Sequence, residues 1–452
     1  MYRFKKYCLS IISFILIISF FPNNTNATQI AYYSILIRDN TDFNTVLDKL
    51  SKDNQEVVYS IPEVNLIQVK GEKGKIISGI GLESIEEINP STGEFKTYTP
   101  NINDQKGLDN KAIWDVQWDI KRITNNGESY KLHSPSGKVS VARIDSGYPE
   151  NHPDIKSISI QNSKNLVPKG GYKGNEENET GNIHQLTDRT GHGTSVLSQV
   201  NADGLMKGVA PGMPVNMYRV FGENSAEGSW IIKGIIEAAK DKNDVINISA
   251  GSYLLKNGTY SDGSGNNRAE IKAYEKAIHY ANKKGSIVVS ALGNDSININ
   301  INSELLSILN SKIKDEGKSA TGIVQDIPAQ LAQVVSVAST GMDSKVSSFS
   351  NYGKNIIDFT APGGDIKLLN KFGADVWMAE EMFKKEMILV AHPQGGYYFN
   401  YGNSLATPKV SGALALVIDK YGYKNKPNKA INHLKRNTNA ENEIDLYKAL
   451  QE

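Results

Sequence analysis

The chain predicts an α/β fold, with a mostly parallel sheet flanked by helices and a small α+β unit in front of it. Three observations carry this. From about residue 112, strand-like apolar runs alternate with segments of helical period, the pattern of a parallel sheet covered on both faces. Before that, residues 28–95 hold a shorter mixture of strands and helices. Between the two, Pro90 to Asp109 is rich in Asn, Pro, Gly, Thr and Lys, lacks period and reads as an exposed linker.

In chain order, residues 32–39 read as a strand. A helix over 41–52 follows from the spacing of Phe43, Val46, Leu47 and Leu50. Residues 56–69 read as two strands broken near Pro62. A short helix near 75–82, weakened by Gly79 and Gly81, and a strand over 85–88 complete the unit. In the larger part, strands are expected at Val139–Asp145, Val215–Val220, Val245–Ser249, Ser286–Ala291 and Val334–Ala338. Helices are expected at Trp230–Lys240, Ala269–Lys284 and Leu405–Tyr421. The resulting division is 1–27, 28–95, 96–111 and 112–452.

Composition narrows the function. Of 452 residues, 39% are hydrophobic, enough for a large core. Lys plus Arg number 50 and Asp plus Glu 49. A net charge of +1 supplies no field to gather nucleic acid or an anionic membrane. The N-terminus carries Arg3, Lys5 and Lys6, then 13 residues from Leu9 to Phe21 that are apolar or Ser, then Ala27 after Thr25. A basic start, a short apolar run and a small residue at a cut read as a secretory signal peptide over 1–27. The run is shorter than the roughly 20 residues a membrane span needs. No apolar tail follows at 437–452, so no stable membrane anchor is expected. The single cysteine, Cys8, lies inside the removed segment.

Three short segments carry chemistry. Val-Ala-Arg-Ile-Asp-Ser-Gly (141–147) places Asp145 at the C-terminal end of a buried strand. Asp-Arg-Thr-Gly-His-Gly-Thr-Ser (188–195) sets His192 between two glycines. Tyr-Gly-Asn-Ser-Leu-Ala-Thr-Pro (401–408) sets Ser404 at a helix start. A serine hydroxyl needs a base to take its proton, and the base needs a third group to hold its tautomer. A fourth segment, Val-Val-Ser-Ala-Leu-Gly-Asn-Asp (288–295), ends a strand on Asn294. Its amide and the backbone N–H of Ser404 are candidate donors to a tetrahedral oxyanion.

From about residue 112 to 452 the chain resembles the subtilases. The resemblance rests on nine segments in order: Ile-Asp-Ser-Gly (144–147), His-Pro-Asp-Ile (152–155), Gly-His-Gly-Thr (191–194), Gly-Val-Ala-Pro (208–211), Asp-Val-Ile-Asn-Ile-Ser (244–249), Ala-Leu-Gly-Asn (291–294), Ser-Asn-Tyr-Gly (350–353), Thr-Ala-Pro-Gly (360–363) and Ser-Leu-Ala-Thr-Pro (404–408). It implies a subtilisin-like fold and a serine endopeptidase. Asp145, His192 and Ser404 become the triad, and Asn294 an oxyanion donor. Residues 28–95 take the place of an inhibitory propeptide, matched in pattern only. No cofactor is required for the chemistry.

The chain departs from the family at named positions. Asn403 precedes the nucleophile where the family has Thr. A neutral swap is the favoured reading, and altered support of the oxyanion the other. Arg143 faces the same side of its strand as Asp145, and a buried charge needs a partner. Asp154 matches a family calcium ligand, but the loop Ser198–Lys207 is shorter than in calcium-binding relatives. Loss of that site is expected, with structural calcium elsewhere left open. Asp295–Asp326 and Asp365–Tyr398 exceed the family core and are expected to be surface insertions.

By resemblance, Ala250, Gly251 and residues 291–294 wall the pocket for the residue before the cut. Asp295 is placed to face that pocket, where a carboxylate favours Arg or Lys. Glu223 and Glu227 lie on the neighbouring groove segment 221–228. A solvated surface acid is an equal reading for each of these three. Together these features are similar to the lantibiotic leader peptidases of the epidermin type, which cut a peptide precursor after an arginine. A secreted subtilase of broad degradative action and a non-catalytic binding protein on the same scaffold are the competing readings.

Overall fold

The computed structural model describes residues 30–91, 110–223 and 225–451. The signal segment expected over 1–27 lies outside them. So does the linker expected over 96–111, except its last two residues, which open the helix Asn110–Val116.

The N-terminal unit has four strands, β1 (Ala31–Ile37), β2 (Glu56–Ile61), β3 (Leu66–Gly71) and β4 (Ile85–Pro90), in the order β2-β3-β1-β4. Its pairings are antiparallel. Alternation along β1 divides its side chains between two cores. Ile35 and Ile37 pack with Val46 and Leu50 of the helix Phe43–Lys52 and with Ile76 and Ile80 of the helix Lys73–Ile80. Leu36, with Ile61, Val64 and Leu66, instead joins Trp230 and Tyr274 of the large domain. The glycines did not prevent the short helix, because Gly81 (φ +87°) terminates it.

The large domain continues with β5 (Val141–Asp145), β6 (Lys164–Asn165), β7 (Val215–Arg219), β8 (Val245–Ile248), β9 (Ser252–Tyr260), β10 (Ile287–Ala291), β11 (Ala320–Ile327), β12 (Val334–Thr340), β13 (Phe359–Pro362), β14 (Ile388–Ala391) and β15 (Tyr397–Asn400). Seven of them form one parallel sheet, ordered β13-β12-β10-β8-β5-β7-β6. The helices Gly228–Lys240 and Arg268–Lys283 pack on one face, within the cluster of Ile144, Trp230 and Ile246. The helices His192–Asn201 and Asn403–Tyr421 pack on the other, within the cluster of Val141, Leu197 and Val410. The chain runs from β5 to one side of the sheet, then returns to place β8 on β5's other side. Ligands bind at such switch points, outside the carboxyl ends of the strands.

Neither long insertion is merely superficial, contrary to expectation. The first forms the helix Asn302–Ile313 and strand β11, which pairs antiparallel with β9 and builds a core with Leu255, Leu305 and Val324. The second forms a helix and the hairpin β14–β15. That hairpin buries Leu389 and Phe399 in the main core, because its strands are apolar on both faces. Among the described residues, no helix is long and apolar enough to cross a membrane.

Candidate active site

Strand β5 ends on Asp145, which is fully buried. Its Oδ1 lies 2.8 Å from His192 Nδ1 and accepts the Ser146 N–H at 2.8 Å. Its Oδ2 accepts from Arg143 Nη2 at 2.6 Å, which identifies the partner of that arginine. Burial pushes the Asp145 carboxyl up, but the charges of His192 and Arg143 and the hydrogen bonds from His192 and Ser146 hold it below the ordinary value. Burial pulls the Arg143 guanidinium down to about 10, against the charges of Asp145 and Asp188.

His192 opens its helix. A Cβ on Gly193 would stand 2.3 Å from the Gly147 carbonyl oxygen, so this contact between helix and strand end needs glycine. Asp188 secures the helix start. Its Oδ1 accepts from Ser146 Oγ at 2.8 Å and Gly191 N at 2.9 Å, and its Oδ2 from Thr194 N at 2.7 Å. The sequence reading missed this residue, although an Asp just before a helix is a capping signal.

Ser404 and Asn294 meet beside Gly402. A Cβ on Gly402 (φ +146°) would sit 3.1 Å from Ser404 Oγ, 3.7 Å from Asn294 Nδ2 and 3.8 Å from Ser404 N. Glycine keeps that space open to a substrate carbonyl, within reach of the nucleophile and both donors. Asn294 is oriented by its own oxygen, which accepts the Asn403 N–H at 3.0 Å. Ser404 Oγ and the His192 ring form no hydrogen bond among the described residues, as is common before substrate arrives.

Asn403 is fully buried. Its Oδ1 accepts from Ser339 N at 2.6 Å and Ser350 Oγ at 3.0 Å. Its Nδ2 donates to the carbonyls of Leu292 at 3.1 Å and Gly293 at 2.7 Å. A threonine hydroxyl, with a single proton to donate, does not reproduce this set. The favoured neutral swap is therefore replaced by direct support of the segment carrying Asn294.

The segments expected to wall the pocket hold a different acid from the one the sequence singled out. Ala250 is half-buried and Gly251 exposed. Asp326 lies between the two walls. Its Oδ2 accepts the Gly293 N–H at 3.0 Å and Asn351 Nδ2 at 3.2 Å, and its Oδ1 lies 3.4 Å from where a Gly251 Cβ would be. Burial raises its carboxyl to about 6, with Asp295 adding to the rise. Asp295 itself is engaged by the Tyr253 hydroxyl at 2.5 Å and Lys312 Nζ at 3.1 Å. Asp326 was missed because it sits in a segment that read as insertion, 75 positions beyond Gly251 in sequence.

The groove acids are also paired. Glu223 lies 3.1 Å from Arg189 Nη1. Glu227 is buried beneath the N-terminal unit, where it accepts from Gln68 Nε2. Asp154 is held by donors within the protein. Its oxygens already accept from Leu205 N at 2.9 Å, Met206 N at 3.1 Å and the Tyr397 hydroxyl. A cation there needs oxygen lone pairs rather than N–H and O–H donors. Among the described residues, no group of three or more His, Cys, Asp or Glu could hold a metal ion.

This arrangement supports acyl transfer. In that reaction Ser404 would attack, His192 would take its proton with Asp145 fixing the imidazole, and Asn294 and the Ser404 N–H would receive the oxyanion.

Residues 136–448 match the model of the subtilase family. The epidermin leader peptide-processing serine protease of Staphylococcus epidermidis is 39% identical over 442 residues, covering 94% of both chains. The nisin leader peptide-processing serine protease of Lactococcus lactis is 48% identical over 315 residues, 69% of this chain and 45% of that relative. The crystal structure of the epidermin leader peptide processing serine protease from Staphylococcus aureus superposes with a TM-score of 0.82 at 40% identity, covering 94% of this chain and 98% of that one. A match of this extent, on a fold and a site already laid out, means that the chain is a serine peptidase and belongs to the subtilase family.

Proposed function

We propose that the chain is a secreted serine endopeptidase that removes the leader of a lantibiotic precursor by cutting after a basic residue. The observation that carries the specificity is Asp326, a buried carboxylate spanning the two pocket walls. Such a group is poorly solvated when empty and gains most from a cationic side chain. The relatives' action on leader peptides supports the substrate class, and the basic and apolar N-terminus supports secretion. Residues 28–95 act in this reading as an intramolecular inhibitor, cut away in the linker between about Phe95 and Ala112.

Profiling a peptide library tests this. The wild-type protein selects Arg or Lys before the cut, and Asp326→Asn loses that preference by roughly 100-fold in kcat/KM, the scale of an unpaired buried charge. Asp295→Asn has the smaller effect. An unchanged profile in Asp326→Asn removes the carboxylate from the pocket, and broad cleavage by the wild type favours the degradative reading. An intact but inert protein favours the binding scaffold.

A further inference from the structure

The triad is joined to a cation that its chemistry does not require. Arg143 and Asp145 alternate along β5 on the same face, and both are fully buried. One end of the guanidinium donates to Asp145 Oδ2 at 2.6 Å. The other reaches β8. With the Asn247 amide turned so that both of its ends are satisfied, Arg143 Nη1 donates to the Asn247 oxygen at 2.7 Å. The Asn247 nitrogen then donates to Ser411 Oγ at 2.9 Å, on the helix that carries the nucleophile. Ser249 Oγ, 3.0 Å from the same Asn247 oxygen and 3.1 Å from the Ser404 carbonyl oxygen, has one proton and so donates to one of these two acceptors at a time. A planar fork is suited to hold two acceptors at a fixed separation, which a lysine is not.

We propose that Arg143 is a positioning residue for the triad, fixing Asp145 at one end and, through Asn247 and Ser411, the helix that carries Ser404 at the other. No hydrogen bond links His192 directly to Ser404 among the described residues, and this buried route through β5 and β8 connects the partner of His192 to the helix of Ser404. The cost is a buried charge next to the carboxylate that must stabilise the imidazolium. Asp145 divides its negative charge between His192 and Arg143.

The charged groups around this cluster are few. Asp188, at the start of the His192 helix, binds Ser146 Oγ. Arg219, on β7, donates to the Ser146 carbonyl oxygen at 3.2 Å while forming a buried pair with Glu179. Lys409, on the nucleophile helix, lies 2.9 Å from Asp119. Arg143 is the cation bonded to the catalytic carboxylate itself.

The experiment compares wild type, Arg143→Met and Arg143→Lys on a peptide the wild type cleaves, with active sites counted by a burst titrant. In Arg143→Met the acid limb of kcat/KM moves up by roughly one pH unit, because Asp145 then acts on His192 alone. In Arg143→Lys the charge remains, so the limb returns to within a few tenths of the wild-type position, while kcat per active site stays about tenfold lower because the fork is lost. A limb that does not move in Arg143→Met, with kcat per active site near wild type, overturns the proposal and leaves Arg143 as core filling. Should Arg143→Met fail to fold, Arg143→Lys decides alone: wild-type kcat per active site in that protein refutes the brace.

Discussion

The side-chain amide of Asn403 donates to the carbonyl oxygen of Gly293 at 2.7 Å, which ties the residue before the nucleophile to the segment that carries Asn294. The two oxyanion donors lie on different elements, Asn294 after β10 and the Ser404 N–H at a helix start. Their spacing is set by contacts between those elements, and Asn403 supplies several of them.

Replacing Asn403 is therefore expected to cost both stability and rate. Asn403→Ala strands the Ser339 N–H and the Leu292 carbonyl and leaves the Gly293 carbonyl with the Asn351 N–H alone, at about 1–3 kcal/mol for each buried group left unmatched. A fall in Tm of roughly 10 °C is expected by calorimetry. The kcat drops about tenfold with KM little changed, since the loss falls on oxyanion support. Asn403→Thr recovers part of each. Wild-type kcat in Asn403→Thr would restore the neutral swap.

Ser404→Ala is expected to lower kcat by roughly 10⁶-fold, the scale of losing a subtilase nucleophile. If maturation is self-cleavage, the same protein purified alone keeps residues 30–91 attached, visible as an uncut chain by mass. Normal maturation of the purified variant points to another protease.

Preference for Arg should depend on pH through Asp326. Its carboxyl, raised to about 6 by burial, binds a cation when ionised. Selectivity for Arg over Leu before the cut therefore climbs as pH rises through about 6, and Asp326→Asn is flat over the same range. The stability sign is opposite. A carboxyl whose folded pKa exceeds the unfolded value of about 3.9 costs stability as pH rises from near 4 to about 6. Unliganded Asp326→Asn should melt above the wild type at pH 8, with the gain vanishing toward pH 4.

The contact of the N-terminal unit should weaken with rising pH. Burial under that unit raises Glu227 to about 7, against the hydrogen bond from Gln68 and the charge of Lys173. Once the unit leaves, the carboxyl returns toward the ordinary value of about 4.3, so ionisation favours separation between about pH 4 and pH 7. The appearance of activity from purified full-length protein, corrected for the activity of mature enzyme, is expected to be faster at pH 7.5 than at pH 5.5. Glu227→Gln should remove most of that difference, and an unchanged ratio rejects the mechanism.

At Asp154, three protein donors hold the carboxylate. Tyr397→Phe removes one of them and is expected to lower Tm by a few degrees, the effect of about 1 kcal/mol. Calcium titration should not restore it. Recovery on adding calcium would show that the position still accepts the cation.

By itself the sequence determined the fold class and the order of the core strands and helices, and it proposed the triad. Asp145, His192, Ser404 and Asn294 stand at strand ends and helix starts, where short glycine-bearing motifs fix the backbone locally and leave a readable pattern. The helix Asn403–Tyr421 and the strands β5, β8 and β10 were legible for the same reason, since apolar period and local propensity agree along them. What only the tertiary structure decided depends on residues far apart in sequence. Asp326 stands beside Gly251 and Gly293 because β11 pairs with β9. Arg143 gains Asn247 because β5 and β8 are neighbours across the switch point. Tyr397 meets Asp154 across 243 positions, because an apolar hairpin folds onto the His192 helix rather than into solvent. Such pairings are set by strand order and side-chain packing. The candidate triad is therefore written in local motifs, while the groups that surround and support it come from long-range contacts.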